Sequence, residues 1–295
     1  MNRSHFSRLL TALAAAPLLG LAALATPALA ASSDANVVVP HDWGLWTLPP
    51  ASPIMERIVN LHSAVTIIIV VITLVVFVLM GYIMVKFSAK ANPKPSVRTH
   101  NTLLEVVWTI IPVIILVGIA FPSFSLLYAE DHAPDAKLTL KVTGHQWYWS
   151  YAYPDYGVNY DSNIKQDADI KGDDVRLMSV DNPIYLPVGF DVRIQVTSED
   201  VIHSFSITAA GVKVDAVPGR LNETWTHFNR EGTYFGQCSQ LCGINHGFMP
   251  IEVRVVSVDA FNKWLADHKA SKQFTAQAEP AAAGTTVLAA ASIQR

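Results

Sequence analysis

Hydrophobic positions are continuous in parts of the N-terminal half of the chain and alternate with polar ones in the C-terminal half, so two kinds of structure are expected. From Ser63 to Val85 nearly every residue is Ile, Val, Leu, Met or Phe, long enough for the roughly 20 residues that cross a bilayer. Leu103 to Tyr128 is a second such run, interrupted only by Glu105, Pro112 and Pro122. Together they predict a transmembrane hairpin over 61–128. An earlier apolar stretch differs. Arg3 and Arg8 precede an Ala/Leu run that Pro17, Gly20 and Pro27 interrupt, and it ends at Ala28-Leu29-Ala30. A basic start, a short apolar core and a small-residue site predict a cleaved signal peptide over 1–30, and the breaks disfavour a further span.

Beyond Ala129 the period becomes two. Lys137 to Val142, Phe190 to Val196 and Ile251 to Val256 alternate, with turn signals at Gly172, Asn182-Pro183, Gly189, Pro218-Gly219 and Glu231-Gly232. Many short strands at this spacing predict an antiparallel sandwich or barrel over 129–268. Phe261 to Leu265 reads as a short closing helix. Segment 269–295, rich in Ala, Ser, Thr and Gln, reads as a disordered tail. Segment 31–60 carries Trp43, Trp46 and several prolines, and suits an exported arm lying on a partner at the membrane surface.

Composition supports a part-membrane chain: 51% of residues are hydrophobic and mean hydropathy is +0.29. Charge sets the orientation. Lys86, Lys90, Lys94 and Arg98 lie between the spans with no acid among them, which predicts a cytoplasmic loop. Both ends of the mature chain then face outward, in agreement with the export signal. Losing residues 1–30 takes the formal charge from −3 to −5. Residues 129–268 hold 19 acids against 11 Lys plus Arg. That balance suits a solvated face or an acidic docking surface for a basic partner, and no nucleic acid is expected.

The chemistry concentrates at Cys238-Ser-Gln240-Leu-Cys242-Gly-Ile-Asn-His246-Gly-Phe-Met249, with His203 upstream. Thiolate, thioether and imidazole together are a soft, copper-type donor set. Four readings stand side by side. An oxidising compartment favours a Cys238–Cys242 disulfide, although so short a loop gains little stability from closure. A structural zinc site would use the same cysteines and histidines but has no need of Met249. A mononuclear blue-copper site needs one thiolate, and this loop has two. Two coppers would use both, each sulfur bridging both ions. No C-x-x-C-H occurs, so no covalently attached haem is expected in this chain.

This loop resembles the copper-A loop of cytochrome c oxidase subunit II. Gly144-His-Gln-Trp147-Tyr-Trp149-Ser-Tyr resembles that family's aromatic segment. Leu104-Glu105-Val-Val-Trp108-Thr-Ile-Ile-Pro112 resembles its second span, and Asp215-Ala-Val-Pro-Gly-Arg-Leu-Asn222 a mid-domain signature. The similarity runs from about residue 40 to 268. It implies a two-helix transmembrane hairpin followed by an all-β cupredoxin-type Greek-key barrel, outside a bacterial cytoplasmic membrane. Carried onto this chain, Cys238 and Cys242 bridge two coppers; one also takes His203 and Met249, the other His246 and the backbone carbonyl of Gln240. Trp147 becomes the point of electron entry from cytochrome c, where the bland alternative is an interfacial aromatic. Glu105 becomes the entrance of a proton path, where the alternative is a carboxylate snorkelling to water. Asp155, Asp173, Asp174, Glu199 and Asp200 become docking acids. Implied partners are the haem- and copper-containing subunit I, subunit III, cytochrome c and membrane lipid. The family has Glu where this chain has Gln240, and that carboxylate helps hold magnesium at the subunit I border. A neutral amide implies a weakened magnesium site. Competing readings are a quinol oxidase subunit II, which lacks the copper ligands, and a membrane-tethered copper-delivery or storage protein.

Overall fold

A computed structural model describes residues 37–40 and 43–268. The expected signal peptide, the start of the arm and the tail over 269–295 lie outside the described residues.

Two long helices come first. α1 spans Pro53–Lys86 and α2 spans Thr102–Asp131. At 1.5 Å per residue they measure about 50 and 45 Å, enough to cross a hydrocarbon core of about 30 Å with turns to spare. Each start is capped. Ser52 Oγ accepts from Met55 N at 3.0 Å ahead of Pro53, and Asn101 Oδ1 accepts from Leu104 N at 3.2 Å. Glu105 Oε1 reaches back to accept from Asn101 N at 3.3 Å, which completes a reciprocal box at the start of α2. None of the α2 side chains is buried within the chain. Large apolar residues such as Ile67, Phe77, Leu116 and Phe121 stand exposed along both helices, a surface that water alone does not suit.

The β domain has two sheets. The strands are β1 (Val37–Val38), β2 (Leu138–His145), β3 (Tyr148–Tyr153), β4 (Val158–Ser162), β5 (Ile184–Pro187) and β6 (Asp191–Ser198). They continue with β7 (His203–Ile207), β8 (Val212–Ala216), β9 (Asn222–His227), β10 (Gly232–Cys238) and β11 (Pro250–Val256). One sheet runs β5-β11-β10-β7-β8, with β1 also on β10; the other runs β4-β3-β2-β6-β9. Alternate residues of β2, β3 and β6 point inward, so Leu138, Leu140, Val142, Trp149, Tyr151, Tyr153, Ile194 and Val196 form the core with Phe205, Tyr234 and Val253 opposite. α3 (Val258–Asp267) closes the domain by burying Phe261 and Leu265, as the sequence predicts.

The architecture is therefore the expected helical hairpin followed by an all-β, cupredoxin-type barrel. One expectation needs correction. The sheets are mixed, not antiparallel throughout: β2 pairs β6, β5 pairs β11 and β1 pairs β10 in parallel. These partners are distant in sequence, and the chain crosses between sheets on the way, which a tight hairpin cannot do.

The hairpin and the barrel share a joint. Ala51, Ser52, Ile54 and Met55 are buried against the domain, ahead of the apolar span. Ala51 N donates to Ala209 O at 2.8 Å, Ser52 Oγ donates to Ala210 O at 2.7 Å, and Asn229 N donates to Ala51 O at 2.9 Å. Gly211, at φ +70, lets α1 approach: a Cβ there would lie 2.8 Å from Ile58 Cδ1. The end of α2 is held too, because Trp225 Nε1 donates to Ala129 O at 3.0 Å.

Candidate metal centre

Two strand ends and one loop assemble the site. Cys238 ends β10 and stands opposite Phe205 of β7, whose first residue is His203. Gly236 permits that strand contact, since any Cβ would collide with the Ser206 carbonyl oxygen. Gly144 leaves room for the imidazole: a Cβ would sit 2.9 Å from His203 Cδ2 and 3.1 Å from Trp149 Cζ3. The loop after Cys238 passes Cys242, makes a single 3-10 turn at His246–Phe248 and enters β11 directly after Met249.

The donor atoms converge. Cys238 Sγ lies 3.9 Å from Cys242 Sγ, too far for a disulfide bond, and both cysteines are free. His203 Nδ1 is 4.0 Å from Cys238 Sγ, and His246 Nδ1 is 3.6 Å from Cys242 Sγ. Met249 Sδ is 3.6 Å from Cys242 Sγ, and the Gln240 carbonyl oxygen is 3.3 Å from Cys238 Sγ. His203, Cys238, Cys242 and Met249 are buried, while His246 is partly exposed and Gln240 exposed. The His203, Cys238 and Cys242 donor atoms all lie within 4.8 Å of one another.

The two thiols sit in opposite electrostatic settings. Burial opposes ionisation of Cys238, but hydrogen bonds with His203 and with the backbone at Ser204 and Gln240 outweigh it and lower the thiol. Burial, then the neighbouring Cys238 charge, pushes the Cys242 thiol up. Unaided, the site holds one thiolate comfortably and resists a second. A soft metal ion removes that conflict, and the donors present fit one.

Asp200 orients the buried imidazole. Its Oδ1 lies 2.8 Å from His203 Nε2, while Oδ2 accepts from Gln146 N and Oδ1 from Val201 N, each at 2.6 Å. A carboxylate only accepts, so Nε2 carries a proton, and Nδ1 faces Cys238, where it would offer its lone pair to a bound metal ion. Burial acts to raise the Asp200 carboxyl, yet the hydrogen bonds, from His203 foremost, hold it below the usual range. For His203, burial acts to lower the imidazole, and contacts with Cys238 and Asp200 more than reverse this.

Trp147 sits at the hairpin tip between β2 and β3. Its indole Nε1 donates to the Cys242 carbonyl at 3.3 Å, and Gln146 Nε2 donates to the same oxygen at 2.8 Å. Trp149 is fully buried; its Nε1 donates to Met249 O at 3.0 Å and its ring lies edge-on to His203 at 5.9 Å. Sequence reading passed over Gln146 and gave Trp149 no contact. Their neighbours lie about a hundred residues away in the chain, where no local pattern reveals them.

The five candidate docking acids do not form one surface. Glu199, three-quarters exposed, pairs with His145 at 3.0 Å, and Asp200, one-third exposed, is engaged as described; both flank the site. Asp155 is not with them. It accepts from Thr139 N at 2.9 Å near the start of β2, roughly 20 Å along the strand from the hairpin tip. Asp174 is held by Lys165 at 2.8 Å with little of its side chain exposed, so it is committed within the loop between β4 and β5; Asp173 beside it is exposed. Asp161, which sequence reading did not select, lies nearer: it accepts from Ser150 Oγ at 2.6 Å. Burial first, then Asp161, Glu199 and Asp200, raise the Tyr148 phenol, which places all three acids around that tip. Glu105 is far from the metal centre, in the capping box of α2.

Comparison with known proteins assigns the chain to a family. Residues 40–126 match the family model described as cytochrome C oxidase subunit II, transmembrane domain, and residues 138–256 match its periplasmic domain. A probable cytochrome c oxidase subunit 2 of Rickettsia felis is 48% identical over 236 residues, covering 80% of this chain and 75% of that protein. Cytochrome c oxidase subunit 2 of Chondrus crispus is 44% identical over 235 residues, covering 78% and 92%. The solved periplasmic domain of subunit II from Bradyrhizobium japonicum is 51% identical, with a TM-score of 0.44 over 47% of this chain and 97% of that one. With two membrane-length helices ahead of a barrel that gathers thiols, imidazoles and a thioether, this two-pass membrane chain belongs to the copper-binding cytochrome c oxidase subunit II family and so to an oxidoreductase complex.

Proposed function

We propose that the chain takes electrons from cytochrome c at a binuclear copper-A centre and passes them to haem in subunit I, where oxygen is reduced to water with proton pumping. The observation that carries this reading is the pair of thiols at 3.9 Å, with one imidazole beside each sulfur. Cys238 and Cys242 would hold two coppers between them, with His203 and Met249 completing one donor set and His246 and the Gln240 carbonyl the other. Such a pair would supply a one-electron relay whose charge change is spread over two ions.

The protein's own groups do the rest. Asp200 fixes the His203 ring, Trp149 holds the Met249 carbonyl, and Trp147 presents its indole at the surface next to Cys242. Electron entry through Trp147 and docking through Glu199 and Asp200 belong to this reading, as do Glu105 at a proton-path entrance and subunit III and lipid as neighbours. So do the signal peptide over 1–30, a cytoplasmic loop between α1 and α2, and a barrel outside the bacterial cytoplasmic membrane. Gln240 turns its carbonyl toward Cys238 and offers only a neutral amide elsewhere, so magnesium binding at the subunit I border is weakened. Full manganese occupancy with Gln240 as a ligand would overturn that point.

The deciding experiment is electron paramagnetic resonance of the full-length chain loaded with copper in detergent. One unpaired electron shared equally by two coppers is expected. A single isolated copper, exchangeable without any oxidase partner, would instead support copper delivery.

A further inference from the structure

The Cys242 carbonyl accepts two side-chain donors, Gln146 Nε2 at 2.8 Å and Trp147 Nε1 at 3.3 Å. Gln146 also uses its main chain: its N–H donates to Asp200 Oδ2 at 2.6 Å, and the other oxygen of that carboxylate faces His203 at 2.8 Å. One residue thus holds the supports of two donors, the carboxylate behind His203 and the peptide of Cys242. Its backbone braces the carboxylate behind His203, and its side chain holds the peptide that follows Cys242. Gln146 is exposed, so it contributes little packing and its polar atoms carry its effect. Gly243 makes the approach practicable. It has φ +126, and a Cβ there would stand 2.9 Å from Trp147 Cζ2 and 3.2 Å from Gln146 Nε2. Any other residue would be strained at that φ and would press against both donors. The loop itself is anchored at its start by Ser239 N to Ser204 O at 3.0 Å, and further on His246 N and Phe248 N bond within it.

We propose that Gln146 is a positioning residue: its amide pins the Cys242 carbonyl, and so fixes both the direction of the Cys242 thiolate and the seat of the Trp147 indole. This rests on the copper and electron-entry reading above. The carbonyl carbon and the sulfur-bearing Cβ share one Cα, so holding the peptide after Cys242 limits how far that Cα, and with it the sulfur, can shift. The same oxygen links Trp147 to Cys242 Sγ through one hydrogen bond and the bonds of a single residue. Gln146 therefore sets the geometry of a route that it does not itself form.

Two variants of the full-length chain test this. Gln146→Met keeps the side-chain length and loses the donor; Gln146→Ala loses both, while each retains the N–H to Asp200. In the copper-free chain, amide hydrogen exchange across 240–248 should quicken roughly fivefold in both, the factor expected from one hydrogen bond of ordinary net strength. In the copper-loaded chain, the copper hyperfine pattern should shift, and electron entry should slow with cytochrome c affinity unchanged. Wild-type exchange together with a wild-type copper spectrum in both variants would overturn the proposal. Trp147→Phe, which leaves the Gln146 bond in place, separates the two readings. If it enters electrons normally while the Gln146 variants still loosen the loop and shift the spectrum, the electron-entry role fails and the positioning role stands.

Discussion

His203 shows how much of a candidate metal site is decided by a neighbour that is not itself a donor. Asp200 claims one ring nitrogen, and the other is left facing Cys238. Asp200→Asn should lower copper affinity about 10- to 100-fold, as loss of such an orienting partner commonly does, and competition against a calibrated chelator would measure it. Unchanged affinity would show that strand packing alone sets the ring. Asp174 offers a test of a different kind. The Lys165 hydrogen bonds hold its carboxyl below the usual range. A depressed folded value means that the stabilisation is present above the unfolded carboxyl value and is lost as pH falls through the folded one. Asp174→Asn should therefore cost about 2 kcal/mol at pH 7, the scale of a hydrogen bond to a charged group. The gap from wild type should shrink below about pH 4, and thermal melts of the chain at the two pH values would show whether it does. The candidate donors were conspicuous in the sequence because 238–249 packs five of the six into one loop. The roles of Asp200 and Gln146 were not, because a carboxylate three residues before a histidine reads the same whether it faces solvent or the ring.

Strands were legible as strands, and their partners were not. A period of two locates β2, β6 and β11, yet says nothing of the parallel pairing of β2 with β6 or β5 with β11. Pairing is set by which apolar faces meet across the core, a property of the whole domain. The helix α1 likewise reaches beyond its apolar run. Its apolar run begins at Ser63, but the helix begins at Pro53, and the intervening turns bury Ile54 and Met55 against the barrel. The β10–β7 contact is where an element-level change should tell most. Gly236→Ala would drive a methyl into the Ser206 carbonyl, and overpacking of that sort costs about 1–3 kcal/mol. Because Cys238 ends β10 and His203 opens β7, copper retention should fall along with the melting temperature. A variant that melts lower yet keeps full copper would mean that the loop holds the site without the strands. Ser52→Ala tests the other joint: it removes both the α1 cap and the bond to Ala210 O, at about 1 kcal/mol for the cap alone.

Across the whole molecule, charge is sorted by end. The loop between α1 and α2 carries Lys90, Lys94 and Arg98 without an acid, while the barrel carries an excess of acids. In the proposed orientation, with the loop cytoplasmic, the acidic barrel would face the compartment of a basic electron donor, and opposite charges raise the rate of encounter. Screening decides which acids matter. At physiological ionic strength the Debye length is about 8 Å, so an exposed charge two such lengths from the contact is nearly silent. Glu199, beside the hairpin tip, lies inside that range, whereas Asp155, roughly 20 Å along β2, lies outside it. Glu199→Gln should therefore slow association with cytochrome c at low salt and flatten its salt dependence, and Asp155→Asn should change neither. Stopped-flow association rates across an ionic-strength series would separate them. Equal effects of the two substitutions would mean that the barrel's net charge steers the donor as a whole. An effect confined to Glu199 would place the encounter at the hairpin tip, directly over Trp147.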